Sequence, residues 1–418
     1  MAWFCSNPWT TLFVWGNGDV THCCYSNHGP LGNIYKQSPE AIWRGPKLAS
    51  IRAAMAAGDY EKAGCEPFCR VYRWQRFYGH LASPPSIPEG LGRIKNEGTI
   101  PQYETPQVLG YAIDWKCNLR CTHCGGSRNS PGLDEAGLAK LAPWLDQVKT
   151  LRLMNGEFSI NRNCHLQLWE IGRQEKQPRV FLNTHGQTSL SRYLEAVGEL
   201  RSFHLKFSLE GTGATYERIR KGGRWDVFYK NLQEASAIFR GKQAEGKDWK
   251  LHLNYCLMHS NVTALPDAVT LAVELNLPIV INAIHGMRHI RENMFAYAHL
   301  KPEAAEWKSV VDRCISVAEK NHYPWTADVK THLEYIERCL AEPMLDGVAI
   351  RWLARRSWSP RRWSGIALYL LLRFKLSKMN GLRYLLRKTR NYFQRRAWVP
   401  ARLKRRKAES SIPLISES

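Results

Sequence analysis

The stretch that decides the fold is Cys117-Asn118-Leu119-Arg120-Cys121-Thr122-His123-Cys124, which directly follows an apolar run over residues 108–115. The run predicts a β-strand, so the three cysteines occupy the loop after it. Three thiolates with this C-x3-C-x2-C spacing can hold three corners of a cubic iron–sulfur cluster and leave the fourth iron open to a small chelating molecule. A zinc site needs a fourth ligand, and His123 is too close within the loop to serve easily.

Around this loop, short β-type runs alternate with helical runs. The predicted strands cover residues 108–115, 150–155, 179–184, 203–209, 250–258 and 279–283. The predicted helices cover residues 134–148, 165–173, 189–200, 225–241 and 264–275. Six such steps predict an α/β fold with a parallel sheet and right-handed crossovers, either open or curled toward a barrel. In such folds the chemistry gathers at the carboxyl ends of the strands.

The cysteine triplet, its position after the first strand and the following Gly125-Gly126 resemble the radical S-adenosylmethionine (SAM) superfamily. Weaker landmarks extend the resemblance over residues 108–285. Among them, Met154-Asn155-Gly156-Glu157 resembles a Gly-Gly-Glu motif in which Asn155 replaces the first glycine. The resemblance implies a partial (β/α)6 TIM-like barrel in which Cys117, Cys121 and Cys124 bind a [4Fe–4S] cluster together with SAM.

The same resemblance implies roles for five further residues. Glu157 would receive the amino group of SAM, because a carboxylate pairs well with an ammonium. Asn183-Thr184-His185-Gly186 resembles the Thr-Asn-Gly found after the third strand, so Asn183 is a further candidate. The segments 207–211 and 216–222 resemble Ser-hydrophobic-Asp-Gly and Ile-Arg-Lys-Gly. Ser208 and Glu210 would then lie near the ribose or substrate, and Arg220 would bind the SAM carboxylate, although Glu210 replaces the commoner Asp.

A second group of cysteines lies near the amino terminus. Asn17-Gly18 predicts a tight hairpin between residues 12–15 and 20–22, which would bring Cys5 alongside Cys23. Cys65 and Cys69 would complete a four-thiolate site. Such a site suits either an iron–sulfur cluster or a zinc ion that staples the hairpin.

The arrangement of these cysteines, together with Gly32-Asn33-Ile34 and Ile42-Trp43-Arg44, resembles the SPASM/twitch auxiliary-cluster module of radical SAM enzymes. The resemblance implies one auxiliary [4Fe–4S] cluster, with Cys24 as an alternative ligand to Cys23. The module precedes the barrel here, whereas in the family it more often follows. Four protein ligands leave no open iron, so this centre would relay electrons or serve a structural role.

One further cysteine bears on the type of reaction. Cys256 shares its parity with Asn254 and Met258 on the fifth predicted strand, so all three are expected to face the interior of the barrel. A thiol there can return a hydrogen atom to the opposite face of a substrate radical, which would make the protein an epimerase. The alternative is ordinary packing in the core.

The charge of the chain is uneven. Of the net +22, residues 350–418 carry 19 basic and two acidic side chains, interleaved over 351–407 with aromatic and leucine residues. Such a tail suits an anionic membrane surface, nucleic acid or an acidic peptide, and its apolar content favours the membrane. A solvated basic helical cap is the alternative.

Composition excludes several other classes. The longest apolar run covers residues 366–372, far short of the roughly 20 residues that span a bilayer. No secretory signal is recognised at the amino terminus, so we expect a reducing compartment and metal binding rather than disulfides. The expected location is the cytoplasm, with peripheral attachment to the inner membrane surface through the tail.

These features predict five regions. They are an auxiliary-cluster module (1–80), a linker (81–107), the core barrel (108–300), a helical extension (301–349) and the basic tail (350–418). The predicted function is hydrogen abstraction by a SAM-derived 5′-deoxyadenosyl radical, leading to oxidation (dehydrogenation) or epimerisation of a sugar-like, lipid-linked or peptide substrate. An oxidoreductase of this type requires an electron donor such as flavodoxin or ferredoxin. The alternative is a zinc-containing nucleic-acid-binding protein.

Overall fold

The computed structural model describes residues 3–23, 28–60, 62–65, 69–78, 91–93, 103–124, 131–284, 292–295 and 300–341. Cys24, Gly125-Gly126, most of the predicted linker and the basic tail lie outside these residues.

A nine-stranded, mostly parallel sheet forms the centre of the described part of the chain. Its order is β11-β10-β9-β8-β7-β6-β2-β3-β4, and a separate antiparallel pair joins β1 to β5. The strands are β1 (Trp3–Cys5), β2 (Thr11–Val14), β3 (Asp19–Thr21), β4 (Gly32–Asn33), β5 (Leu91–Arg93), β6 (Val108–Asp114), β7 (Thr150–Asn155), β8 (Arg179–Thr184), β9 (Ser202–Leu209), β10 (Asp248–Leu257) and β11 (Ile279–Ala283).

Strands β6 to β11 pair in parallel and in sequence order, as the repeated β–α pattern predicted. The parallel α/β architecture is therefore confirmed. The curling of these strands into a barrel stays a prediction.

Helices alternate with the parallel strands, and others surround the amino-terminal hairpin. The helices are α1 (Asn7–Thr10), α2 (Pro39–Trp43), α3 (Pro46–Ala56), α4 (Arg70–Tyr78), α5 (Glu135–Leu145), α6 (Arg162–Gly172), α7 (Leu194–Val197), α8 (Gly213–Ile219), α9 (Trp225–Ala244), α10 (Leu265–Leu275), α11 (Ala304–Lys320) and α12 (Thr326–Ala341). The predicted helix over 189–200 is a 3-10 turn followed by the short α7, and α8 was not predicted.

The alternation along β10 shows how the sheet separates its two faces. Trp249, Leu251, Leu253, Tyr255 and Leu257 are buried and belong to the main hydrophobic core, while the residues between them are half-buried or exposed. Because successive strand residues point to opposite faces, Asn254 and Cys256 lie together on the less buried face, which we call the open face. Met258 follows the strand and is fully buried.

The amino-terminal hairpin is part of the same sheet. Strand β2 pairs in parallel with β6, from Thr11 opposite Val108 to Val14 opposite Tyr111, and β3 returns antiparallel to β2. Gly18, at the turn, has a φ of +80°, a left-handed conformation that glycine adopts without strain. The hairpin is therefore an extension of the sheet beside its first parallel strand.

The predicted helical extension (301–349) contains α11 and α12, which cover most of its described residues. Within the part of the chain that the structure describes, no helix combines the length and the apolar character needed to cross a membrane.

Candidate functional site

The loop with the cysteine triplet leaves the carboxyl end of β6 and is held by its backbone. The Arg120 N–H donates to the Lys221 carbonyl (2.7 Å), and the Thr122 N–H donates to the Ile219 carbonyl (2.9 Å). The Leu119 side chain is buried beneath the loop. The segment that resembles Ile-Arg-Lys-Gly thus shapes the cysteine loop through main-chain hydrogen bonds.

The end of β7 supports the start of the same loop. The Gly156 N–H donates to the Asp114 carbonyl (2.9 Å), and the Glu157 N–H donates to the Lys116 carbonyl (2.9 Å). These bonds tie the segment that resembles Gly-Gly-Glu to the residues immediately before Cys117. The segment therefore positions the cysteine loop.

Both oxygens of the Glu157 carboxylate accept hydrogen bonds from the protein, and only 1% of the residue is exposed. One oxygen accepts from the Thr184 hydroxyl (2.8 Å) and the Ser159 N–H (3.2 Å). The other accepts from the His185 N–H (2.8 Å). The carboxylate therefore joins the ends of β7 and β8.

His185, directly after β8, reaches the cysteine loop. Its Nδ1 accepts from the Gln187 N–H (3.1 Å), so its Nε2 carries the proton and donates to the Asn118 Oδ1 (2.7 Å). Burial lowers the pKa of His185 despite the nearby Glu157 carboxylate, which keeps the ring neutral. Asn183, the residue that the resemblance selected, is instead exposed on the open face and lies opposite Lys206.

A buried ionic group lies at the end of β9. Arg220 binds the Glu210 carboxylate through Nε and Nη2, the latter at 2.9 Å, and its Nη1 lies 3.8 Å from the Cys121 sulfur. His123 Nε2 lies 3.7 Å from the same carboxylate. The structure brings Glu210 and Arg220 to each other and to the cysteine loop, and their predicted contact with SAM or substrate stays a prediction.

The end of β10 closes this side of the site. The Asn261 amide donates to the carbonyls of Glu210 (3.0 Å) and Cys256 (2.9 Å), and its oxygen accepts from the Met258 N–H (2.7 Å). Ser208 is half-buried on the open face, opposite Asn254. Cys256 packs beside Ile219, Met258 and Ile284.

The triplet suits a three-thiolate cluster site by the chemistry of its donors. Burial raises the pKa of Cys121 to about 11, while the Arg220 guanidinium opposes this effect. The buried His123 Nδ1 has no hydrogen-bond partner in the described part of the chain. Three thiols beside a guanidinium therefore fit an anionic, sulfur-containing group.

The amino-terminal thiols form a second group. Burial, followed by the mutual repulsion of Cys5, Cys23, Cys65 and Cys69, raises the pKa values of Cys5 and Cys65. The four thiols therefore lie in one region of the structure, where Cys65 packs against the small hydrophobic cluster that contains Cys5. Even so, no three His, Cys, Asp or Glu side chains in the described ranges converge tightly enough to hold a metal ion as they stand. The thiols would have to rotate to close around a cluster.

The two cysteine groups lie at opposite ends of the strands, one near the amino end of β6 and the other beyond its carboxyl end. Because Thr21 pairs with Phe13 and Thr11 pairs with Val108, Cys23 lies near the amino end of β6. The triplet follows the carboxyl end of the same strand, Asp114. At about 3.3 Å per residue, the length of β6 alone separates the two groups by roughly 20 Å.

Several residues at the carboxyl ends of the strands were not predicted as site residues. They are Asn118, His123, Thr184, His185 and Asn261. Thr184 and His185 lie inside a motif that the sequence analysis quoted, and His123 lies inside the triplet, so proximity to a motif was the available signal. Asn261 has no such signal, since only the tertiary structure places it under Glu210.

A comparison with protein families decides the nature of the amino-terminal part. Residues 5–70 match the family model of SPASM, an iron–sulfur cluster-binding domain. Residues 5–70 form a SPASM domain. The predicted resemblance of the amino-terminal part to a SPASM module is therefore confirmed. With its C-x3-C-x2-C loop and its SPASM domain, the chain is similar to radical SAM enzymes in two separate parts.

Solved structures resemble only part of the chain. SuiB from Streptococcus suis is 14% identical, with a TM-score of 0.36 over 44% of this chain and 40% of SuiB. SuiB bound to its precursor peptide SuiA is 13% identical, with a TM-score of 0.38 over 52% and 47%. The radical SAM methyltransferase TsrM from Kitasatospora setae, with tryptophan and a SAM analog bound, is 11% identical, with a TM-score of 0.30 over 42% and 35%.

The aligned part thus spans less than half of each of these proteins, and at these TM-scores the likeness carries no argument about substrate or reaction. No curated protein matches the sequence.

Proposed function

We propose that the chain is a radical SAM enzyme in which Cys117, Cys121 and Cys124 hold a [4Fe–4S] cluster with SAM. The observation that carries this proposal is the cysteine loop, held at the carboxyl end of β6 by the backbones of residues 156–157 and 219–221. The chemistry supplied there, once cluster and SAM are bound, is one-electron cleavage of the sulfonium and hydrogen abstraction from a substrate C–H bond by the 5′-deoxyadenosyl group. The SPASM domain supports it.

The chain's own residues prepare this site. The bonds from Arg120 and Thr122 fix the loop, and the His185–Asn118 bond holds its first turn. Asn183 and Ser208 lie on the open face and are the candidates for contact with SAM or substrate. Glu157, with its carboxylate already engaged, holds the strand ends in place.

We further propose that Cys5, Cys23, Cys65 and Cys69 bind the auxiliary [4Fe–4S] cluster of the SPASM domain. The closeness of the four thiols supports this ligand set. Its position, about 20 Å along the sheet from the triplet, suits electron relay from an external donor such as flavodoxin or ferredoxin rather than contact with SAM.

Cys256 supports epimerisation among the proposed reactions. Burial raises the pKa of its thiol, so the sulfur keeps the hydrogen that a donor must deliver. It lies on the open face near Glu210 and Arg220. Dehydrogenation and peptide modification do not need this thiol. Cys256→Ser would therefore abolish product formation and the incorporation of deuterium from solvent only if the protein is an epimerase. The release of 5′-deoxyadenosine from SAM would continue in the variant.

The proposed function is tested with protein purified without oxygen. We expect a brown protein with about eight irons per chain that releases 5′-deoxyadenosine from SAM after reduction by dithionite. Changing Cys117, Cys121 and Cys124 to alanine should remove about half of the iron and all 5′-deoxyadenosine release. Changing Cys65 and Cys69 should remove the other half of the iron.

Cys314→Ala is the matched control, because Cys314 is buried in the core away from both groups. It should retain the iron and the activity. A colourless protein that carries zinc, or a triplet variant that still cleaves SAM, would overturn the proposal. The zinc-containing nucleic-acid-binding alternative is not favoured, because the matched domain binds an iron–sulfur cluster.

A further inference from the structure

Most of the N–H donors of the Arg220 guanidinium are directed to partners within the protein. The residue is 6% exposed and Glu210 is 1% exposed, so their ion pair is buried. Three of its five N–H donors are directed to Glu210 and Cys121, through Nε, Nη2 and Nη1. A planar guanidinium binds a carboxylate best through two parallel hydrogen bonds, and Glu210 already takes that edge.

Replacing this arrangement by contact with an incoming carboxylate would be costly. The Glu210 carboxylate would lose its cation while still buried, which leaves an uncompensated charge. The Glu210 backbone is also fixed, because its carbonyl accepts from the buried Asn261 amide at 3.0 Å. The Arg220 backbone is tied to the cysteine loop through its neighbours Ile219 and Lys221.

We infer that Arg220 is a positioning residue for Cys121, which Glu210 aligns so that Nη1 donates a hydrogen bond to the cysteine sulfur, and that it does not bind the carboxylate of SAM. This inference rests on the proposed function, since it concerns the cluster held by the triplet. A hydrogen bond donated to a cluster sulfur stabilises the more negative, reduced state and so raises the reduction potential. Arg220 therefore helps to set the potential at which the cluster delivers its electron.

The ion pair with Glu210 explains why the Arg220 guanidinium can be buried beside the cysteine loop. The carboxylate compensates the guanidinium charge, and His123 Nε2 approaches the same carboxylate at 3.7 Å. The group His123–Glu210–Arg220–Cys121 is thus continuous from the loop to the end of β9. It provides a directed donor at one thiolate without leaving an unpaired charge in the core.

The test uses anaerobically purified full-length protein and the variants Arg220→Lys, Arg220→Met and the double variant Arg220→Met/Glu210→Gln. The double variant removes both charges together, so it avoids the buried lone carboxylate that can unfold the single variant. Arg218→Met is the matched control, because Arg218 lies only two residues earlier, in the last turn of α8, is exposed and donates to the Ser260 carbonyl. Iron content first establishes which variants retain both clusters.

Two quantities are then measured for each variant that retains its iron. One is the reduction potential of the cluster whose EPR signal changes when SAM is added, and the other is the Kd for SAM from equilibrium dialysis. We expect the double variant to shift the potential to a more negative value while its Kd for SAM stays within about threefold of wild type. Arg220→Lys should recover part of the shift, and Arg218→Met should cause none.

A double variant with the wild-type potential would overturn the inference, and so would a tenfold or greater loss of SAM affinity. Failure of the proposed function gives a different result. In that case the wild-type protein itself has no EPR signal that responds to SAM.

Discussion

Gly156 lies directly against the backbone of Trp115: a Cβ atom at Gly156 would come within 2.4 Å of the Trp115 carbonyl oxygen. The Lys116 carbonyl oxygen would be equally close, at 2.3 Å. Any side chain at position 156 must therefore displace the residues that lead into Cys117. The close contact makes the end of β7 a support for the cysteine loop.

Gly156→Ala is accordingly expected to weaken the triplet site. Overpacking against fixed backbone costs about 1–3 kcal/mol, and the displaced loop should hold less iron. Iron content and thermal unfolding would be measured together. Gly241→Ala is the control, because Gly241 lies within α9 and a Cβ there meets no atom within 4 Å. It should stabilise the protein by about 0.5–1 kcal/mol. Equal iron content in Gly156→Ala and wild type would contradict the role of Gly156.

Glu157→Gln is expected to destabilise the junction of β7 and β8. Glutamine offers one acceptor oxygen in place of two, and its NH2 group would face N–H or O–H donors of Ser159, Thr184 or His185. The loss should be about 2–3 kcal/mol, measured as the shift of the guanidinium midpoint multiplied by the m-value. Glu195→Gln on α7, a less enclosed glutamate, serves as control. If Glu157→Gln had wild-type stability and lost only SAM affinity, Glu157 would be a SAM ligand instead.

Asn261→Asp tests the support beneath Glu210. The Asn261 amide donates two hydrogen bonds to carbonyls, and aspartate would present acceptor oxygens or a buried charge to the same carbonyls. Loss of these bonds at a site that is 1% exposed should cost at least about 2–3 kcal/mol. Asn321→Asp, at an exposed helix end, should cost far less. If Asn261→Asp and Asn321→Asp shifted the denaturant midpoint of unfolding by similar amounts from wild type, this account would be contradicted.

The stability of the folded chain should fall between pH 6.5 and pH 4 because of His204. This ring lies 3.4 Å from Asp248, 4.5 Å from the Phe181 ring by centroid and 6.4 Å from the His252 ring, with Lys250 and Arg179 also nearby. Burial lowers the pKa of His204 to about 4, although the Asp248 carboxylate opposes the shift.

The sign of the effect follows from the two protonation states. Below pH 6.5 the unfolded chain binds a proton at this histidine, whereas the folded chain does not until about pH 4, so stability is lost across that window. The full loss amounts to about 3 kcal/mol. His204→Gln should flatten the decline between pH 6.5 and pH 4, as measured by denaturant unfolding. A variant that keeps the wild-type slope would show that other groups cause the decline.

The regular elements followed from local sequence. The strand limits 150–155, 179–184 and 279–283 coincide with β7, β8 and β11, because short apolar runs between turn residues leave few alternatives. The region 189–200 was less regular than predicted, since the apolar spacing of a 3-10 turn and a short helix resembles that of one longer helix. The pairing of β2 with β6 could not be predicted, because strand order depends on contacts between distant segments.

The same division holds within the site. The spacing of Cys117, Cys121 and Cys124 on one loop is a property of the sequence, and so is the hairpin signal at Asn17-Gly18, since both depend only on neighbouring residues. The partners of Glu157 and Arg220 were decided by the tertiary structure. Each of these charged side chains can serve a ligand or the protein itself, and the choice depends on which donors and acceptors the folded strands bring within hydrogen-bonding distance.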